Sequence, residues 1–172
     1  RRRADFIAAE SPERYAAQLG RIFAEEAPEF RLVLEPGRSI VGNAAVLLTR
    51  IAAEQGRWRF LDCGRNVLAE SPLAFTRWIA PAEPRGGRRV AVDLSGPTLN
   101  TLDVVDRGRL LPEVRTGDVL AIGDAGAYTI ARATRYAGLS PAVWLARLDG
   151  SLTCIRRAET YADLTAPMAG AD

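Results

Sequence analysis

The chain has 172 residues, 48% hydrophobic and 26% charged, with a formal net charge of +2. That balance supports one or two globular units with a real core and implies no strong electrostatic partner. There is no histidine and no lysine, so all 23 basic residues are arginine, and with two cysteines for company they exclude a zinc site and a Ser-His-Asp triad.

Ser11-Pro12-Glu13 opens a helix, with Ser11 as N-cap and Pro12 at the first helical position. Tyr15, Leu19, Ile22 and Phe23 then recur as a single apolar stripe, and Pro28 ends the segment. Phe30, Leu32, Val33 and Leu34 read as a short buried strand between Pro28 and Pro36-Gly37. A short helix from Ser39 to Asn43 completes a helix-strand-helix passage. This is the form of the last unit of a (β/α)8 barrel, whose sites lie at the C-terminal ends of its strands.

After Ala44 the pattern is β. Val46–Ile51 and Trp58–Leu61 flank Glu54-Gln55-Gly56-Arg57, a hairpin signal. Arg89–Leu94 alternates apolar and polar residues as a half-buried strand does. Asp118–Ile122, Ala142–Ala146 and Ser151–Ile155 are further strands, and Pro81–Gly87 reads as a mobile loop. The fold expected is α/β plus β: residues 1–43 as a barrel remnant and residues 44–172 as a small antiparallel, Greek-key-like β-barrel domain.

Cys63 and Cys154 are too few and too far apart for a disulfide framework, which points to reduced thiols and a cytoplasmic setting. No apolar run approaches the roughly 18 residues of a membrane span, and no signal peptide is visible. The chain starts with Arg1 rather than Met, which fits a processed or a truncated terminus. Arg1-Arg2-Arg3 and Arg85–Arg89 read as a solvated tail and loop rather than a nucleic-acid patch.

The most informative stretch is Leu34-Glu35-Pro36-Gly37-Arg38-Ser39. Gly37 lets backbone amides approach a ligand, and Arg38 can grip a phosphate with two parallel hydrogen bonds. A helix beginning at Ser39 adds its positive end to the same anion site. Glu35 could hold a heteroaromatic nitrogen protonated. A plain strand-turn-helix, with Arg38 in a salt bridge, is the alternative reading of these residues.

Two further motifs follow in order: Gly96-Pro97-Thr98-Leu99-Asn100-Thr101-Leu102-Asp103, then Gly117-Asp118 with Asp124-Ala125-Gly126-Ala127-Tyr128. With the Glu-Pro-Gly-Arg turn and Leu61-Asp62-Cys63-Gly64, they resemble the C-terminal half of the fold-type III pyridoxal-phosphate decarboxylases, the ornithine, diaminopimelate and arginine decarboxylase group. The resemblance runs from about Ser11 to Leu164. It implies pyridoxal 5'-phosphate as cofactor, with Glu35 facing the pyridine nitrogen and Gly37, Arg38 and Tyr128 contributing to the phosphate cradle. Asn100 and Asp103 fall in the motif that meets an amino-acid-like substrate. The bland reading of Tyr128 is a half-buried aromatic anchoring a turn.

The sequence departs from the family at telling places. Position 99 usually carries a proton-donating cysteine and is leucine here. Position 100, usually an acid that binds a distal amine, is Asn100. Glu70 stands where the diaminopimelate-like branch often has an arginine. The family holds its cofactor through a lysine amine, and this chain has none. It is also too short for an eight-stranded barrel of around 250 residues.

Three readings follow. The chain is the C-terminal part or subunit of an amino-acid decarboxylase whose Schiff-base lysine lies on another chain or a missing segment. Alternatively it is a non-catalytic pseudoenzyme or regulatory partner, or a β domain for some other phosphate-bearing ligand. The partner implied is a lysine-bearing barrel in a homo- or hetero-oligomer. Trp58, Phe60 and Trp144 are interface candidates, with core burial as the alternative for each.

Overall fold

Ser11 and Pro12 start the first helix where their chemistry directs. In a computed structural model that describes residues 10–69 and 77–168, α1 spans Pro12–Glu26, with Ser11 as its cap. The Ser11 hydroxyl oxygen accepts from the Arg14 amide at 3.3 Å, satisfying one of the unpaired N–H groups of the first turn. Arg1-Arg2-Arg3 and Glu70 lie outside the described residues. The chain divides into two compact units, Arg1–Ile40 and Val41–Asp172.

In the first unit no residue of α1 is buried, and Tyr15 and Ile22 of its apolar stripe are exposed. The strand expected from Phe30 to Leu34 does not form: residues 31–37 have no regular structure, and Phe30 and Val33 are each 67% exposed. A strand exists through ladder bonds to its neighbours, and no strand of the described residues pairs with this segment. The second helix, α2 (Arg38–Val41), begins one residue before Ser39. A 3-10 turn over Gly42–Ala44 follows it.

The second unit is built on β1 (Leu47–Gln55), β2 (Trp58–Leu61), β3 (Ile79–Pro81), β4 (Arg89–Ser95), β5 (Val104–Pro112) and β6 (Val119–Ile122). They form one sheet in the order β3-β6-β1-β2-β4-β5. The β1–β2 hairpin turns at Gly56-Arg57, with Gly56 at φ +55°, the conformation a tight hairpin requires. The expected all-antiparallel Greek-key barrel is corrected here, because β2 and β4 run parallel. After β2 the chain first adds β3 to the far edge beside β6, and so returns to β2 in the same direction.

The end strands β3 and β5 approach each other, and Arg109 on β5 donates to the Arg77 carbonyl just before β3 at 2.7 Å. The sheet is therefore nearly closed. Ile51, Leu61, Val92, Leu94, Leu111, Leu120 and Ile122 fill its interior, the alternate positions of their strands. Arg59 is buried with them and is satisfied by the carbonyls of Val114, Gly56 and Trp58. The loop expected to be mobile is pinned in part: Ala82 donates to Val119, and Arg85 grips Asp118 through two bonds of 2.8 and 3.1 Å.

A separate ribbon pairs β7 (Val143–Ala146) with β8 (Leu152–Arg156). It leads to α3 (Tyr161–Thr165), which Thr160 and Asp163 start as a reciprocal capping box. The aromatic candidates do not reach full burial. Trp58 and Phe60 stack half-buried with centroids 6.4 Å apart, and Trp144 is exposed.

Candidate functional site

The Gly96–Asp103 loop is held from within. Asp103 is 1% exposed and accepts from the Arg65 amide at 2.8 Å, the Thr98 amide at 2.9 Å and the Thr98 hydroxyl at 2.6 Å. Its own carbonyl accepts from the Gly96 amide and the Ser95 hydroxyl. The carboxylate therefore sets the shape of the loop. Gly64 and Gly96 meet across this junction. A Cβ on Gly96 would lie 2.3 Å from the Gly64 Cα, and one on Gly64 would lie 2.3 Å from Asp103 Oδ1.

The pinned loop projects its tip outward. Leu99 takes φ +57° and is 99% exposed, a left-handed conformation that costs a branched residue roughly 1 kcal/mol or more. Asn100, also exposed, accepts the Leu102 amide on Oδ1 at 2.8 Å, closing an Asx turn. Behind the loop lies a cavity of about 360 Å³ lined by Arg65, Asn66, Thr98, Asn100 and Asp103, among others.

Tyr128 sits on a second constrained turn after β6. Asp124 and Tyr128 both have φ +52°. The Ala125 amide donates to the Ala45 carbonyl at 3.0 Å, and the Gly126 amide to the Gly42 carbonyl at 2.9 Å. A Cβ on Gly126 would fall 1.7 Å from the Val41 carbonyl oxygen, and one on Gly123 would strike the Trp78 ring at 1.8 Å. Glycine is required at both positions by close approach. The Tyr128 turn is thus locked onto residues 41–45 of the same unit. The Tyr128 ring is 48% exposed.

Glu35 and Gly37 lie in the irregular segment of the first unit and are exposed, and Arg38 is half-buried at the start of α2. The Ile40 amide donates to the Gly37 carbonyl at 3.1 Å, which turns the chain directly after the glycine. Cys63 is buried, and burial pushes its thiol up to about 12, which removes it as a nucleophile at neutral pH. Among the described residues no cluster of His, Cys, Asp and Glu could hold a metal, and no helix is long and apolar enough to cross a membrane.

Sequence reasoning missed Arg65, Asn66, Thr98 and the Gly64–Gly96 contact as parts of this constellation. The two glycines were legible as motif members, but their meeting across 31 intervening positions was not.

An irregular acid-glycine-arginine turn, a nearly closed mixed sheet and two glycine-locked loops define a class. Residues 7–126 match the pyridoxal-dependent decarboxylase C-terminal sheet domain, and the chain belongs to that family, as a C-terminal part of a fold-type III decarboxylase. Diaminopimelate decarboxylase of Aquifex aeolicus is 34% identical over 143 residues, covering 80% of this chain and 34% of the relative. The Archaeoglobus fulgidus enzyme of that name is 37% identical over 139 residues, covering 78% and 33%. The structure of diaminopimelate decarboxylase from M. jannaschii in co-complex with L-lysine is similar with a TM-score of 0.73 at 32% identity, covering 88% of this chain and 36% of that one. The Helicobacter pylori enzyme complexed with L-lysine gives 0.78 at 26% identity, covering 95% and 41%. The chain spans about a third of the length of the curated relatives named here.

The family is pyridoxal-dependent. Within the first unit, a guanidinium and a glycine amide suit a phosphate, and a carboxylate suits a pyridinium. With no lysine in the chain, nothing here fits the aldehyde end.

Proposed function

We propose that this chain completes the active site of a pyridoxal-phosphate-dependent amino-acid decarboxylase, a diaminopimelate decarboxylase-like carboxy-lyase whose cofactor-bearing lysine lies on another chain or segment. The observation that supports it best is the match of residues 7–126 to the pyridoxal-dependent decarboxylase C-terminal sheet domain. In this reading residues 1–43 are the end of the barrel and residues 44–172 the sheet domain, within a homo- or hetero-oligomer.

Each residue then has a task. Glu35 holds a proton on the pyridine nitrogen, which keeps positive charge where electrons must flow. Gly37 and Arg38 bind the phosphate, one through backbone and one through charge, and Tyr128 donates its hydroxyl to the same group. When bound, pyridoxal phosphate supplies the electron sink for the carbanion left by loss of carbon dioxide. Asp103 holds the loop that presents Leu99 and Asn100 to the substrate. Leu99 offers no proton, so the protonating group comes from elsewhere. Asn100 meets the substrate without a charge, which disfavours recognition of a distal ammonium.

A specific observation favours a second reading. The exposed tip residue is an alkyl side chain with no donor atom, as suits a pseudoenzyme that keeps the fold and its interface without turnover.

The test is cofactor retention in the native assembly, with mass analysis of every component. The first reading expects a pyridoxylated lysine on a co-purifying polypeptide or segment. Arg38→Ala should weaken retention by about 1.5–3 kcal/mol, the cost of a charge-assisted bond. Unchanged affinity removes Arg38 from the phosphate site. Full cofactor retention without turnover of any amino acid selects the pseudoenzyme.

A further inference from the structure

The cavity behind the Gly96–Asp103 loop lies within the second unit, and hydrogen bonds already made sort its polar lining. Asn66 accepts the Gly64 amide on Oδ1 at 2.8 Å, and Asn100 accepts the Leu102 amide on Oδ1 at 2.8 Å. Each side chain therefore keeps its NH2 group as the remaining function. Both oxygens of Asp103 are occupied by the Arg65 and Thr98 donors. Arg65 has five N–H donors to place. Among the described residues its guanidinium makes one long contact, 3.4 Å from Nη1 to the Leu102 carbonyl. Tyr136 adds a phenol to the same lining. The carboxylate and side-chain amide oxygens each already accept a donor, and a single guanidinium stands among the remaining donors.

Such a lining recognises an anion with two coplanar oxygens. A dianionic phosphate would face the buried Asp103 carboxylate with one guanidinium to offset it, whereas a singly charged carboxylate matches that guanidinium. We propose that this cavity binds a carboxylate group, with Arg65 as its charged anchor and the Asn66 and Asn100 amides as flanking donors. A volume of about 360 Å³ suits a small organic acid or the acidic end of an amino acid. The carboxylate comes either from a free organic acid or from the distal end of the substrate; the second source rests on the decarboxylase function proposed above.

The test is calorimetric titration of the native assembly with glutarate and with its neutral diamide. Glutarate should bind at least about tenfold more tightly than the diamide. Arg65→Gln should lose about tenfold or more of glutarate affinity, and Arg65→Lys should retain part of it. Asn100→Asp keeps the oxygen that accepts the Leu102 amide, so the turn survives, but it replaces a donor with a negative charge and should abolish binding. Equal affinity for acid and diamide overturns the proposal, as does glutarate binding unchanged by Arg65→Gln or Asn100→Asp.

Competition identifies the source. Glutarate that raises KM and leaves kcat unchanged stands in for the substrate's own carboxylate, and glutarate that still binds at saturating substrate marks a free acid. Failure of the two proposals is separable. Cofactor retained without glutarate binding refutes this one alone, and glutarate bound without cofactor retention refutes the decarboxylase function alone.

Discussion

An alanine at position 96 tests the junction on which the substrate loop rests. Its Cβ would lie 2.3 Å from the Gly64 Cα and 2.5 and 2.6 Å from the two Asp103 oxygens, where carbon atoms in contact keep about 3.5 Å or more. On one side the obstacle is backbone; on the other it is a carboxylate fixed by three donors. Neither can swing aside. Opening the junction by about 1 Å costs roughly 1–3 kcal/mol in overpacking. It also breaks at least one charge-assisted bond to Asp103, about 1.5–3 kcal/mol more. The expected loss is about 3–5 kcal/mol, or roughly 10 °C in melting temperature for a chain of this size. Thermal unfolding of the native assembly reads it, with Gly86→Ala as control because a Cβ there meets nothing within 4 Å. If Gly96→Ala melts within about 1 °C of that control, the junction is not packed as described. Combining it with Asp103→Asn supplies a second check: the two losses should overlap by about 1 kcal/mol or more, and strict additivity would refute the shared contact.

Gly20→Ala should stabilise α1 by about 0.5–1 kcal/mol, since a helical Gly with nothing within 4 Å of its Cβ position pays backbone entropy without return; helical circular dichroism during a melt measures it. Glu159 accepts from Arg135 and from the Ser140 amide, and chiefly the Arg135 bond holds its carboxyl down to about 2. Its folded value is depressed, so its contribution is whole above pH 4.5 and fades as pH falls toward 2. The protection of the Ser140 amide, relative to its intrinsic exchange rate, should fall over that window in the native protein and not in Glu159→Gln. Alkylation at pH 8 should modify exposed Cys154 and leave Cys63 untouched, because Cys63 is buried with its thiol near 12; two adducts per folded chain by mass analysis would contradict that burial.

The sequence disclosed what local chemistry determines. Ser11-Pro12 marks a helix start in any context, and Gly56-Arg57 between alternating strands marks a hairpin. Elements fixed by distant partners were illegible. Strand β5 was missed because Asp106-Arg107-Gly108-Arg109 interrupts its apolar run. There Gly108, at φ +64°, donates to the buried Asp93 across an irregular pairing. Strand β3 is three residues long and exists through its pairing with β6. The parallel β2–β4 pair depends on where the chain travels between them. Of the site, the glycines and the exposed loop tip were readable as motifs. The engagement of Asp103, and the donor-rich cavity it leaves, depend on which groups have already found partners.

The strand that failed to form bears on the same question as the lysine that the chain lacks. Phe30 and Val33 have the composition of a buried strand, yet they stand exposed, as do Tyr15 and Ile22 of the α1 stripe. Burial of one such side chain stabilises by about 1.5–3 kcal/mol, so the first unit holds several kcal/mol of unrealised packing. The second unit, by contrast, buries its own core and closes its sheet almost completely. Among its described residues the first unit has no neighbouring strands, and what the proposed chemistry lacks is an amine. A lysine-bearing β/α segment would supply both. In the function proposed above, such a segment would offer residues 30–34 strands to pair with and would carry the amine that the cofactor's aldehyde needs.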